Sequence, residues 1–227
     1  MGRITIEPIG YIQNDYKEKF GIPRQSGLSE SVISKIVFED EFKDPNYFKG
    51  IEEFSHIWLI WYFSDVNKKN IKPTVRPPKL GRNKRMGVFA TRSPFRPNRI
   101  GISCVKIIKT DYNREGKTLF VTGADLMDGT PILDIKPYLP YTDSRPDATN
   151  GFALDDVSGT LEVKCNDELL SKIPFDMVDG LFETLKHDPR PSYQNDNDRI
   201  YGMSFGDMQV KFKVNDKELE IIDIIIK

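Results

Sequence analysis

Between residues 91 and 100 the chain reads TRSPFRPNRI, with Arg92, Arg96 and Arg99 interleaved with Pro94, Pro97 and Phe95. Each proline fixes its own φ and drives the residue before it toward extended backbone, so Ser93 and Arg96 are held extended and the loop is stiff. A guanidinium on a stiff frame loses little freedom when it grips a carboxylate, a phosphate or a base edge through paired hydrogen bonds. The spacing therefore suits the holding of an anion or a planar group. Arg92, just past the apolar GVFA, is the first candidate for that role. Arg96 and Arg99 are further candidates, with simple solvation of Arg99 as the alternative. Phe95 either stacks on a base or plugs the end of the fold.

Two further segments carry polar groups at turn-like spacing. DLMDGTPILDIKP (125–137) contains a tight Asp-Gly-Thr-Pro turn in which Gly129 is free to take positive φ. Asp128 and Thr130 there serve either the turn or a ligand, and Asp134 and Lys136 share one face of a strand. HDPRPSYQ (187–194) places Arg190 between Pro189 and Pro191 and follows it with Tyr193. Two rigid Arg/Pro elements, far apart in sequence, suggest one composite site. The other motifs exclude much: no Gly-rich dinucleotide fingerprint, P-loop or G-x-S-x-G elbow occurs. His56 and His187 are too few and too separated for a histidine-based metal site, and His56 reads as a core histidine.

Charge is strongly segregated although the net value is −1. Residues 66–110 hold no Asp or Glu but 13 Lys or Arg, leaving 20 of the 33 basic residues against all 34 acidic ones elsewhere. A local positive field on an acidic body points to a polyanion, with nucleic acid the leading candidate. Lys68, Lys69, Lys72, Arg82, Lys84 and Arg85, with Arg96, Arg99 and Arg190, are the residues that would meet it. Cys104 and Cys165 form neither a zinc set nor a disulfide framework, and neither a membrane span nor a secretory leader is evident, so the cytoplasm is the expected compartment.

These residues must be positioned by strands. RITIEPIGYI (3–12, broken at Pro8-Ile9-Gly10), SKIVFED (34–40), the apolar HIWLIWYFSD (56–65), MGVFAT (86–91), GISCVKIIKTD (101–111), KTLFVTGAD (117–125), PILDIKP (131–137) and TLEVKC (160–165) read as strands, with 56–65 buried on both faces. Residues 14–31 and 67–86 read as loops. The tail offers one or two amphipathic helices over 166–186 and two strands, 203–215 and 218–227. The predicted fold is mainly β: a single antiparallel β-barrel (1–146), a linker (147–159) and a small α+β unit (160–227).

GVFATRSPFRPNRIG, with TVRPPKLG before it, DGTPILDIKPYLPY after it, DPRPSY in the tail, and YKEKFGIPRQSGL and FSHIWLI upstream, resembles the TsaA-like/TrmO family. The likeness covers most of the chain in four or five long motifs in order. It departs at Arg99, where the family commonly has proline, and at Ser26, where a proline is common. The resemblance implies an S-adenosylmethionine-dependent tRNA methyltransferase acting on N6 of a (threonylcarbamoyl)adenosine at position 37, built on a β-barrel and working as a homodimer. Carried over by matching motif, it implies donor contacts from Arg24, Gln25, Ser26, Asp65, Val66, Arg92, Ile102, Gly129, Thr130, Pro131 and Ile132. It also implies a tail unit that contributes to tRNA binding and to the site.

A nucleophilic N6 benefits from an acceptor for its proton, and Asp128, Asp188 and Tyr193, with Asp134, are unranked candidates. A non-catalytic RNA-binding or S-adenosylmethionine-sensing barrel is the alternative.

Overall fold

The computed structural model describes residues 2, 4–67, 71–77, 84–113, 116–152, 160–190 and 196–227. β-Branched and aromatic residues at alternate positions build β1 (Gly10–Gln13), β2 (Ser34–Phe38), β3 (His56–Tyr62), β6 (Ile100–Asn113), β7 (Gly116–Thr122) and β8 (Pro131–Pro137). They pair antiparallel in the order β1-β2-β7-β6-β3-β8, and β1 pairs again with β8 to close a barrel. Alternation then sorts the side chains: Ile57, Leu59 and Trp61 of β3 point inward to meet Ile12, Ile36, Leu119, Val121 and Ile132. Each such fully buried aliphatic side chain contributes roughly 1.5–3 kcal/mol relative to exposure.

The second core belongs to a sheet of β9 (Glu162–Lys164), β10 (Tyr201–Phe205), β11 (Met208–Asn215) and β12 (Glu218–Ile226), in the order β10-β11-β12-β9. Only β9 runs parallel to its neighbour. Helix α3 (Val178–Lys186) lays Leu181 and Leu185 against Phe205, Phe212 and Val210. Two short helices, α1 (Pro140–Asp143) and α2 (Asp167–Leu170), are the other α-helices among the described residues, and no described helix is long and apolar enough to cross a membrane. The fold is thus mainly β, a barrel followed by a small α+β unit.

Several local expectations change. Of the first expected strand only the part past the break at Pro8 forms, beginning at Gly10, since Pro8 has no N–H to give a ladder. β3 is not buried on both faces: its odd positions are buried and its even ones half-exposed, because a barrel has only one interior. The strand expected over 86–91 shrinks to β5 (Met86–Gly87), which pairs with β4 (Thr74–Val75). After it Val88–Ala90 curls into a single 3₁₀ turn: Val88 N–H still reaches the Pro73 carbonyl at 2.9 Å, in register with the β4–β5 pairing, but Thr91 N–H closes back on the Val88 carbonyl. The strand expected over 203–215 is two strands, split where Gly206 takes φ 53° in the turn joining Phe205 to Met208.

One excursion ties the two cores together. Between β1 and β2, Tyr16, Phe20, Ile22 and Val32 pack into the second core although they precede most of the barrel in sequence. Residues 24–27 therefore hang between the barrel and the tail unit.

Candidate donor and RNA site

β7 stops pairing with β6 at Thr122, opposite Lys106, which leaves Ile100–Val105 without a β7 partner. The 24–27 excursion fills that opening. Gly27 N–H donates to the Gly123 carbonyl at 2.9 Å, and Ser26 Oγ accepts the Cys104 N–H at 3.3 Å. Gly123 sits at φ 81° with Gly27 packed against it, so a side chain there would be both strained and crowded.

The arginine loop reaches the same opening. It is wound on itself by hydroxyls: Thr91 Oγ1 donates to the Val88 carbonyl and accepts Ser93 N–H, while Ser93 Oγ accepts Phe95 N–H. Arg96 donates to the Thr91 carbonyl at 3.0 Å and is half-buried. Arg92 is exposed and donates to the side-chain amide oxygen of Gln25. Arg24 donates to the Arg190 carbonyl at 3.2 Å, so the tail unit props the excursion from the other side.

Beneath Arg92 lies a network that the sequence motifs did not single out. Trp61 Nε1–H donates to Ser103 Oγ at 3.0 Å, and Ser103 Oγ donates to Asp125 Oδ1 at 2.5 Å. Trp61 lies flat over Gly101, where any Cβ would run into the indole. Burial pushes the Asp125 carboxyl above its ordinary range; the Ser103 hydroxyl and the Arg92 guanidinium work in the opposite direction. The available signal was small: Gly101 and Ser103 are the two smallest inward positions of β6, facing a tryptophan.

The remaining expected site residues divide by what already holds them. Asp128 accepts Asn14 N–H at 3.0 Å and Lys17 Nζ at 2.9 Å, and Gly129 (φ 74°) donates its N–H to Ile12. That turn fastens β8 to the exit of β1, so the Asp128 carboxylate is engaged in structure. Thr130 is buried and bonded to the Met127 carbonyl, and Pro131 opens β8. Ile132 points wholly into the barrel core, which removes its side chain from any donor contact. Asp188 holds Arg190 through two bonds of 2.9 and 3.0 Å. Asp134 pairs with Lys136 at 3.2 Å. Asp65 pairs with Lys19 at 2.6 Å, and Val66 is buried beside it. Ile102 is exposed on the outer wall of the barrel, across from Ile60.

Of the residues expected to meet RNA, Lys72, Lys84 and Arg85 are exposed, and Arg85 leans on Thr74. Arg99 and Arg190 are corrected. Both are 7% exposed, Arg99 donating to the Val66 carbonyl over the Tyr62 ring and Arg190 locked to Asp188, so neither guanidinium faces solvent. Lys68, Lys69, Arg82 and Tyr193 lie outside the described residues.

Comparison with known proteins matches residues 11–144 to the tRNA-methyltransferase O N-terminal domain and residues 156–226 to the TrmO C-terminal domain. A tRNA (adenine(37)-N6)-methyltransferase of Escherichia coli (strain K12) is 38% identical over 229 residues, 97% of each chain. One of the same description from Eikenella corrodens is 43% identical over 174 residues, covering 76% of this chain and 97% of its own. The crystal structure of TrmO from Pseudomonas aeruginosa superposes with a TM-score of 0.79 at 30% identity, over 99% of this chain and 100% of that one.

Proposed function

Because the chain belongs to the tRNA-methyltransferase O family, whose two domain families it matches in order, we propose a division of labour for its mouth residues. The protein is an S-adenosylmethionine-dependent tRNA methyltransferase that modifies N6 of adenine 37. The observation that carries the site assignment is the convergence of Ser26, Gln25, Arg92 and Asp125 on the opening where β7 leaves β6.

Charge decides whether these residues fit the donor. The amino-acid head of S-adenosylmethionine carries a carboxylate and an ammonium. An exposed guanidinium, Arg92, and a carboxylate within its field, Asp125, match that pair with opposite signs. Gln25 orients Arg92, Ser26 keeps the excursion seated on β6, and Ser103 and Trp61 hold Asp125. When bound, the donor supplies an activated methyl group for in-line displacement. Such a reaction rests mainly on positioning, which stiff, cross-bonded loops provide. Asp128, Asp134 and Asp188 are each held by a cation, so none of them is assigned the N6 proton.

Lys72 reaches the arginine loop through its N–H to the Phe95 carbonyl, and it, Lys84 and Arg85 are exposed; these three supply the phosphate contacts. Adenine 37 lies in a single-stranded loop, where a base is exposed without opening a duplex. The threonylcarbamoyl-bearing adenosine is the proposed form of the substrate, and the cytoplasm the proposed compartment.

The enzyme works as a homodimer in this reading. The face made by β6 and the arginine loop that leads into it exposes Ile100 (37%), Ile102 (51%) and Phe95 (39%). A second copy covering it would shield the mouth from water. The test of the whole reading is transfer of labelled methyl from S-adenosylmethionine to tRNA with and without threonylcarbamoyl at adenosine 37. Incorporation into the carbamoylated form alone is expected, and tRNA binding without incorporation would sink the assignment.

A further inference from the structure

We propose that Arg99 is a positioning residue of the donor site, fastening the 63–66 turn to the arginine loop; this rests on placing the donor at the mouth that carries Arg92 and Asp125. Arg99 takes φ 46°, a left-handed backbone that a non-glycine side chain adopts only when its surroundings enforce it. Its own main chain is engaged on both sides. Arg99 N–H donates to the Arg96 carbonyl at 3.3 Å, and its carbonyl accepts Phe63 N–H at 2.9 Å.

That backbone carries the side chain over the end of β3. The guanidinium carbon lies 4.5 Å from the centroid of the Tyr62 ring, and Nη1 donates to the Val66 carbonyl. A buried cation needs a partner, and here the partners are a π face and a backbone carbonyl. On the opposite flank Lys19 grips Asp65 twice, at its carboxylate (2.6 Å) and at its carbonyl (3.3 Å). The carbonyls of Asp65 and Val66 are thus pinned by two cations from two different parts of the chain. Lys72 N–H to the Phe95 carbonyl (3.3 Å) and Val88 N–H to the Pro73 carbonyl (2.9 Å) extend the same seam through backbone alone. Arg99 adds a side-chain fastening at the end of the seam nearest the barrel.

Two variants separate the parts. Arg99→Gly keeps positive φ accessible and removes the guanidinium. Arg99→Lys keeps the charge and loses the planar fork and its stacking. Arg99→Gly is expected to raise Kd and KM for S-adenosylmethionine about tenfold with kcat within about twofold, because loop misplacement weakens positioning. Arg99→Lys should fall between it and wild type. Amide hydrogen exchange over 63–66 should quicken about tenfold in Arg99→Gly, a local opening that a bulk loss of stability would not confine there.

Unchanged donor Kd and KM, even with a lowered Tm, would overturn the proposal, as would a loss of kcat with KM intact. Should Arg99→Gly fail to fold, Tyr62→Leu removes the stacking face and leaves the Val66 bond; a donor KM about threefold higher supports the clamp, and an unchanged one overturns it. Arg92→Ala serves as the separate control. Intact donor affinity in Arg92→Ala beside weakened affinity in Arg99→Gly would retire Arg92 as a donor contact and leave the clamp standing.

Discussion

Ser103 donates its hydroxyl to Asp125 at 2.5 Å while accepting the Trp61 indole N–H at 3.0 Å, so a wall residue of the barrel holds a carboxylate at its mouth. Burial raises the Asp125 pKa, which means its protonated form is favoured in the folded state. The corresponding stability is fully present below the ordinary carboxylate pKa and is lost as pH rises through the raised folded value. Asp125→Asn should therefore melt higher than wild type at neutral pH, with the gap closing toward acid. Donor binding should run the other way: wild-type affinity climbs as Asp125 ionises, whereas Asp125→Asn binds about tenfold more weakly and with a flat profile over roughly pH 5–8. Calorimetric titration across that range checks both signs, and a parallel pH profile in the variant would remove Asp125 from the donor.

Arg92→Ala is expected to weaken donor binding about 10- to 100-fold, the scale of a charge-assisted hydrogen bond to a carboxylate. Binding of tRNA should change by no more than about twofold, because the phosphate contacts are assigned elsewhere. Arg92→Lys should recover part of the loss. Equal losses for donor and tRNA would place Arg92 on the RNA.

Gly101 has no room for a side chain, since the Trp61 indole occupies the position of a Cβ. Gly101→Ala should cost about 1–3 kcal/mol as overpacking. Urea unfolding should show a lower midpoint with an unchanged slope. Because a displaced Trp61 releases Ser103, donor affinity should fall with it, whereas Leu59→Ala should cost stability alone, about 2–5 kcal/mol.

Motif chemistry singled out Arg92, because its neighbours stiffen the chain in ways that residue type alone announces, whereas Arg24, Gln25 and Ser26 came only through the family resemblance. Burial is not announced in that way. Arg99 and Arg190 looked like further members of a basic surface, yet one lies over Tyr62 and the other is locked to Asp188. Their placement depends on positive φ at Arg99 and Asp188, which the sequence does not specify for either residue type. Asp125 was passed over because Asp128, three residues on, sits in the more conspicuous turn. That turn proved to be the fastening of β1 to β8. Most expected strands form, but MGVFAT does not run through, because a short apolar run does not reveal that Thr91 folds back onto the Val88 carbonyl.

Ile102→Asp places a charge on the exposed outer face of β6. Sedimentation should show the proposed dimer giving way to monomer, with the melting temperature little changed because Ile102 is exposed. Activity should fall with the dimer and return in part at high protein concentration. A variant that stays dimeric and fully active would move the interface elsewhere.

Replacing Lys72, Lys84 and Arg85 together by Ala tests the exposed part of the basic segment. Each phosphate contact releases counterions, so removing all three should flatten the slope of log K against log salt by about 2, given roughly 0.7 per contact to single-stranded nucleic acid. Affinity for tRNA should fall most at low salt, where the counterion term is largest. Donor affinity should stay within about twofold, since these side chains are assigned to phosphates rather than to the donor and the Debye length at physiological salt is only about 8 Å. If the salt slope is unchanged while binding weakens, the three residues support the fold of their own segment and do not touch the phosphates.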